Sequence, residues 1–350
     1  MAVKSIDILN MLVFQSRKRT DPEHRNDSEK GNEKNAGEAF HLDFGDGINV
    51  LIGENGVGKT TILKMIYAAA KNSEKKNNPA EMKSLLQYFS SSLGADAVLK
   101  NGNDQNGFSY YRVSDGACYF EEDYSGIQEM QFRGWEGLDI QAVFIPTTEM
   151  LSHSKGFLAL NQKYHMPFDI TQVDIIVNAS LPETREIPES MKGMLHAISK
   201  VIDGTVVLEK DSFYVIKNGG QKIEFSLEAE GIRKLGLLWK LIRNGLLEKG
   251  TILLWDEPEA NLNPEMYPVV ADVLLELQKN GVQIFAATHS YNFSKYLEIR
   301  RTKKEQVIYH NLYKADDGIV CVKSAYRMEE LEKNPIMEAD SKLLDEVYGQ

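Results

Sequence analysis

An α/β fold with a phosphate-binding core is predicted by three stretches of this 350-residue sequence. The first is the octapeptide Gly53-Glu54-Asn55-Gly56-Val57-Gly58-Lys59-Thr60, which fits G-x-x-x-x-G-K-[ST]. Residues 48–52, β-branched and apolar, enter it as a buried strand, and residues 61–70 leave it as a helix, the context this motif requires. The second is residues 251–255, uncharged and mostly large, which run without alternation into Asp256-Glu257-Pro258-Glu259. The third is residues 281–290, another buried-strand pattern, ending in Thr288-His289-Ser290. Fully buried strands separated by helices need a sheet covered on both faces.

The remaining elements follow in order. Residues 1–7 read as a first strand with no charged-then-apolar leader. A polar loop follows, in which residues 17–38 hold six Lys/Arg and six Asp/Glu, a balance expected of a solvated loop rather than a nucleic-acid arm. Residues 71–107 are polar, with a helix expected over 80–91 and turns at 101–102 and 106–107. Residues 108–120 alternate as a hairpin turning at Asp115-Gly116. Helical patterns fill 151–201, broken by Pro167, Pro182 and Pro188, and predict an inserted helical lobe. Strands return over 205–208, 213–216 and 222–225, and a helix over 235–247. Pro258 stops the acidic strand because it offers no N–H to a ladder. A helix over 267–279 starts close after Pro264, where a missing donor costs little. Two closing strands, 306–313 and 318–325, precede an acidic terminal helix.

The chemistry of these motifs is that of a nucleoside triphosphate site. Glycines let backbone N–H groups turn inward around phosphate oxygens, and the helix start adds its positive end. Lys59 is expected to reach the β- and γ-phosphates, and the Thr60 hydroxyl to hold Mg²⁺, with Thr61 next in the turn. Asp256 at a strand tip is placed to bind the same metal. Glu257 beside it is the candidate to orient and deprotonate the attacking water. His289 is either a donor to the γ-phosphate or an ordinary strand-end histidine. The helix-then-strand spacing behind the acidic pair favours the first.

The order of phosphate loop, Asp256-Glu257-Pro258-Glu259-Ala260-Asn261-Leu262-Asn263-Pro264 and Thr288-His289-Ser290 resembles the ATP-binding-cassette (ABC) ATPases. Within them it is similar to the soluble branch of RecF, SMC heads and the overcoming-lysogenization-defect nucleases, over residues 1–70 and about 225–325. The resemblance implies an ABC-ATPase head, a phosphate-loop core with a mixed β-sheet. It implies that Asn261 and Asn263 lie in a loop crossing a head-to-head homodimer, and that His289 is the switch histidine. It also implies a signature segment one helix before the acidic strand, where Ser226-Leu227-Glu228-Ala229-Glu230-Gly231 stands. The family's Ser-x-Gly is here Ala229-Glu230-Gly231, so the hydroxyl that meets the opposite subunit's γ-phosphate is missing. Gly231 and the helix start remain, and Arg233 or Lys234 is the expected replacement charge. The absence of L-S-G-G-Q argues against a transporter. Residues 142–151 occupy the Q-loop position. There Glu149 either replaces the glutamine beside the metal or ends a turn. The segments 145–151, 154–160 and 163–169 look like a bacterial group of stand-alone anti-phage ATPases, the Septu-type and retron-associated ones among them.

These readings divide the chain into a nucleotide-binding domain (1–70 and 205–328), a variable α/β insertion (71–150), a helical lobe (151–204) and an acidic helix (329–350). A net charge of −11 argues against binding DNA unaided, so nucleic-acid contact is expected only with a partner. No apolar run nears the roughly 18 residues of a membrane helix. Two cysteines, Cys118 and Cys321, give neither a disulfide framework nor a metal spacing, and the expected location is cytoplasmic. The 61 residues after His289 hold no nuclease pattern. The expected function is an ATPase, probed as either a slow hydrolytic timer or a nucleotide-locked scaffold, acting on a nuclease or toxin in trans in anti-phage defence. A RecF-like DNA-repair head is the third reading, disfavoured by the acidic balance.

Overall fold

The computed structural model describes residues 2–16, 38–73, 83–89, 109–124, 129–135, 137–164, 166–331 and 333–349. The basic positions Arg17, Lys18, Arg19, Arg25, Lys30 and Lys34, both ends of the expected helix over 80–91, and the turns near 102 and 107 lie outside them.

The central sheet has six strands in the order β14-β13-β3-β12-β11-β7. These are β3 (Ile48–Gly53), β7 (Ala142–Ile145), β11 (Ile252–Asp256), β12 (Gln283–Ala287), β13 (Val307–Lys314) and β14 (Val320–Ala325). Five run parallel and only β14 is antiparallel, so the sheet is mixed. Every residue of β3, β7, β11 and β12 is buried, which is why none of them alternates in polarity. Their side chains divide between two cores. Ile48, Val50, Ile52, Leu253 and Trp255 point into one, while Leu51, Ile252, Leu254 and Phe285 point into the other. Trp255 is fully buried, and truncating it to Ala should cost about 3–5 kcal/mol.

The second core is closed by α1 (Lys59–Ser73) and by an antiparallel sheet of order β2-β1-β4-β5-β6. Its strands are β1 (Ser5–Leu9), β2 (Phe40–Asp43), β4 (Tyr110–Ser114), β5 (Tyr119–Asp123) and β6 (Glu129–Arg133). Helix α1 is therefore wedged between two sheets and buried almost all round, as its unbroken apolar run requires. Because β4 pairs with β1 from Ser5↔Ser114 to Leu9↔Tyr110, the expected boundary at residue 70 cuts through one sheet. The hairpin at Asp115-Gly116 is present, and Cys118 precedes β5 rather than lying in a strand. Of the helix expected over 80–91, the described part holds one 3-10 turn, Leu85–Tyr88.

The first core is covered by α2 (Phe157–Tyr164), α3 (Ile170–Ser180), α4 (Glu189–Ile202), α5 (Glu230–Arg243), α6 (Tyr267–Lys279) and α7 (Tyr291–Arg300). Residues 151–204 do not form a separate lobe. Ile175, Ile176, Ala179, Met194 and Ile198 share one continuous core with α5 and the central sheet, because their apolar stripes find those partners directly. A small sheet of β8 (Gly204–Glu209), β9 (Ser212–Lys217) and β10 (Lys222–Glu224) leads into α5. The chain ends in α8 (Pro335–Tyr348), none of whose residues is buried. Among the described residues no helix is long and apolar enough to cross a membrane.

Candidate nucleotide site

The carboxyl ends of β3, β11 and β12 lie side by side, and each carries one of the predicted motifs. Ligands of open parallel sheets bind at this edge. At the end of β3, Gly53 has φ +141°, and a Cβ there would sit 2.2 Å from the Leu312 carbonyl oxygen. Gly58 has φ +98°, and its Cβ would meet the Phe14 ring at 2.5 Å. Both positions admit only glycine, so the loop is fixed in shape by β13 on one side and the N-terminal segment on the other. Glu54, Asn55 and Gly56 are exposed, while Val57 is buried and anchors the turn.

Lys59 opens α1 and folds back over the loop, donating from Nζ to the Gly53 and Glu54 carbonyls at 2.8 Å each. Burial lowers its pKa to about 8, against the opposing pull of Asp256 and Glu257, so it stays cationic at neutral pH. Next to it, the Thr60 hydroxyl lies 3.1 and 3.0 Å from the two Asp256 carboxylate oxygens. Two motifs 196 residues apart thus meet in one hydrogen bond. Burial raises the Asp256 pKa, opposed by hydrogen bonds from Thr60 and Thr147.

Glu257 takes a left-handed backbone, φ +50°, which turns its side chain out of the strand. Its Oε1 is 3.6 Å from Nε2 of His289, and the other imidazole nitrogen is 3.5 Å from Lys59 Nζ. Burial and then the nearby Lys59 charge lower the His289 pKa, so the ring is neutral at pH 7. The structure brings together Lys59, Thr60, Asp256, Glu257 and His289, with Thr61 half-buried in the following turn.

Other expected positions fall differently. Glu149 does not face the Thr60–Asp256 pair. Its carboxylate accepts from the backbone N–H groups of Leu151 and Ser152 and lies 3.4 Å from Arg233, so it ends a turn. Thr147, two residues earlier, is the side chain that reaches Asp256. Nor are the cations after the signature segment free for a second subunit. Arg233 is held by Glu149, and buried Lys234 donates to the carbonyls of Glu257 at 2.7 Å and Ala260 at 2.9 Å. Helix α5 starts at Glu230 with Ala229 as an exposed N-cap that makes no side-chain cap bond. Gly231 is buried against its own Asn261 and Leu262, and Glu230 accepts from Asn261 Nδ2 at 2.7 Å. The signature segment therefore rests on the loop after Glu257 of the same chain.

Sequence reasoning missed Glu259, Thr147 and the role of Lys234. The Glu259 carboxylate accepts from the Thr288 hydroxyl at 2.6 Å and from the His289 N–H at 3.0 Å, tying the acidic loop to the histidine strand. The third carboxylate of Asp256-Glu257-Pro258-Glu259 was the signal for it.

The residues present fit a magnesium nucleotide. Thr60 and Asp256 offer hard oxygen donors, Gly53 and Gly58 hold the turn in its shape, and Lys59 supplies the fixed cation. Among the described residues no three His, Cys, Asp or Glu side chains form a metal-binding group.

Comparison with known proteins agrees with this geometry. A family model described as an AAA domain, putative AbiEii toxin, Type IV TA system matches residues 153–294, and one described as an AAA domain matches residues 37–133. The chain is similar to the glutamine transport ATP-binding protein GlnQ of Bacillus subtilis, 41% identical over 15% of this chain and 22% of that protein. The arginine transport ATP-binding protein ArtP of Haemophilus influenzae is 35% identical over 19% of this chain and 27% of that one. The L-cystine import ATP-binding protein TcyN of Bacillus subtilis is 23% identical over 42% of this chain and 60% of its own length. The chain thus spans between about a fifth and three-fifths of these relatives. Among solved structures, the SMC head domain from Thermotoga maritima superposes with a TM-score of 0.51 at 15% identity, covering 93% of this chain and 99% of that one. An SMC head bound to the C-terminal winged-helix domain of ScpA superposes at 0.55 with 12% identity, covering 94% and 99%. The fold is that of the SMC heads on which the chain superposes, and models of AAA domains match two parts of it.

Proposed function

We propose that this chain binds and hydrolyses ATP, dimerises through a shared ATP site, and controls a nuclease or toxin partner in trans, in cytoplasmic anti-phage defence. The observation that carries the ATPase reading is the junction of Thr60 with Asp256, with Glu257 and His289 beside it. Magnesium held by Thr60 and Asp256 would neutralise charge on the β- and γ-phosphate oxygens. Lys59 holds the phosphates by charge, and the loop N–H groups orient them. Glu257 accepts a proton from water as its oxygen attacks the γ-phosphorus; the bond to the β–γ bridging oxygen breaks, giving ADP and phosphate. His289, neutral and placed between Lys59 and Glu257, donates to a γ-phosphate oxygen or steadies the water.

The defence setting draws support from the toxin-system wording of the family that matches residues 153–294. A protein partner is supported by the ScpA-bound SMC head, since it shows that a head of this fold can carry one. Weak turnover is favoured by exposed Ala229, which brings no hydroxyl to a neighbour's γ-phosphate. A nucleotide-locked scaffold is therefore the second reading. Glu257→Gln separates them. The amide keeps the size of the side chain but cannot take the proton, so turnover should fall at least about 100-fold. ATP should then hold a dimer visible by light scattering. A variant that stays monomeric in saturating ATP and Mg²⁺ defeats the shared-site reading, and an unchanged rate removes Glu257 as the base. Copurification with the product of the neighbouring gene tests the partner.

A further inference from the structure

Helix α8 runs beside the phosphate loop, and Ile336 in its first turn packs, partly buried, against the first core. It touches α7 and the end of β3. Between its first turns and the loop lies a cleft of about 530 Å³, with Asn55 and His289 on one wall and Ile336, Asp340 and Leu343 on the other. Its other flank borders a second cleft of about 270 Å³. The helix is held at one end only. Met328, Leu331 and Asn334 are buried just before it, and Asn311 donates to the Lys333 carbonyl at 2.9 Å. Beyond that anchor every residue from 341 to 349 is exposed, Leu343 by 58%. Among the described residues, no side chain of α8 makes a hydrogen bond or an ion pair.

The charge on this helix opposes what the site is built to hold. Asp340 is the charged residue of α8 that lines the loop-side cleft, while Lys342 lines the far cleft together with Glu338 and Asp345. Asp340 and Glu54 therefore face each other's side of the opening through which His289 is reached. A triphosphate arriving there meets the carboxylates of Asp340 and Glu54, and like charges repel. At the helix's own start Pro335 has no N–H, and those of Met337 and Glu338 are taken by Asn334.

We propose that α8 is a self-blocking strap. In its resting position it covers the His289 side of the phosphate loop, shutting out a second protomer, and ATP binding displaces it. The idea rests on the ATP reading above and adds its regulation. A site that is open only part of the time binds with an affinity reduced by that fraction. A strap closed nine-tenths of the time would therefore weaken ATP about tenfold.

Two experiments decide it. In the first, hydrogen exchange is followed across 335–349 in the full chain carrying Glu257→Gln, with and without ATP and Mg²⁺. The strap predicts faster exchange of α8 on ATP with α7 unchanged; equal or slower exchange overturns it. The second uses a chain stopped after Asn334 and, in case that chain folds poorly, the exposed double change Asp340→Asn with Leu343→Ser. Each should bind a fluorescent ATP analogue about tenfold more tightly and dimerise at lower ATP. Equal affinity and equal dimerisation in variant and full chain defeat the strap while leaving the nucleotide site standing. If neither binds ATP, the nucleotide reading falls and takes the strap with it.

Discussion

The two halves of the candidate site are built in opposite ways. The phosphate loop, Asp256, Glu257 and His289 sit on adjacent strand ends of one buried sheet and are joined by direct contacts at 2.8 to 3.6 Å. The signature half, at the start of α5, sits on the sheet's outer helical layer, and its side chains are turned onto the following loop of the same chain. Lys234 links the two, since a cation from the signature helix holds the backbone of Glu257. One half is complete within the chain; the other is a surface whose polar groups already have local work. A second protomer could meet that surface only through exposed positions such as Ala229.

This contrast can be tested, beginning with the largest effect. Lys59→Ala removes the fixed cation of the complete half, and ATP affinity should fall more than about 100-fold by calorimetry. Unchanged affinity would mean that this loop is not the site. Next, Lys234→Met keeps the length of the link but leaves the Glu257 and Ala260 carbonyls buried without their donor, at about 1–3 kcal/mol each. We expect a lower melting temperature and a slower rate with ATP affinity nearly intact. A variant that melts like the parent would show that the link carries no energy.

The buried sheet also has a pH signature. His310, fully buried between β3 and β14, contacts Asn49 Oδ1 at 3.2 Å and Ser324 Oγ at 2.7 Å, and burial lowers its pKa to about 3. The unfolded chain takes up this proton near pH 6.5 and the folded chain only near 3, so stability is lost as pH falls between those values. At pH 5 the loss should be about 2 kcal/mol by denaturant titration, and His310→Gln should flatten that slope. The smallest effect on the isolated chain belongs to Ala229→Arg. This exposed cap should leave one chain's ATP affinity within about twofold, as surface changes generally do, yet abolish the nucleotide-dependent dimer. A dimer that survives moves the interface elsewhere.

The complete half was legible in the sequence because its chemistry fixes local spacing. A phosphate turn needs its glycines and lysine in order, and strands buried on both faces show as uncharged, mostly apolar runs such as residues 48–52 and 251–255. The signature half was not, because the charges of Arg233 and Lys234 do not say which carbonyl or carboxylate each will meet. Long-range pairing was equally hidden. Nothing local in residues 110–114 marks them as neighbours of residues 5–9, and the apolar stripes of α3 and α4 fit a separate lobe as well as the shared core they join. The terminal helix was read as an acidic face, but amphipathicity carries no address, and its place beside the phosphate loop emerged only from the fold.

The position of β3 also governs when this protein can work. Its two neighbours, β12 and β13, are both made long after it, and the Gly53 turn closes only against Leu312. A chain leaving the ribosome at about 5–20 residues per second thus carries its phosphate loop for on the order of tens of seconds on a strand with bare edges. During that interval residues 48–52 present an unpaired apolar ribbon, the kind of surface that recruits chaperones or other strands. Nucleotide is therefore no help to the nascent chain, and fragments ending before β13 should emerge as aggregates rather than as weak ATPases.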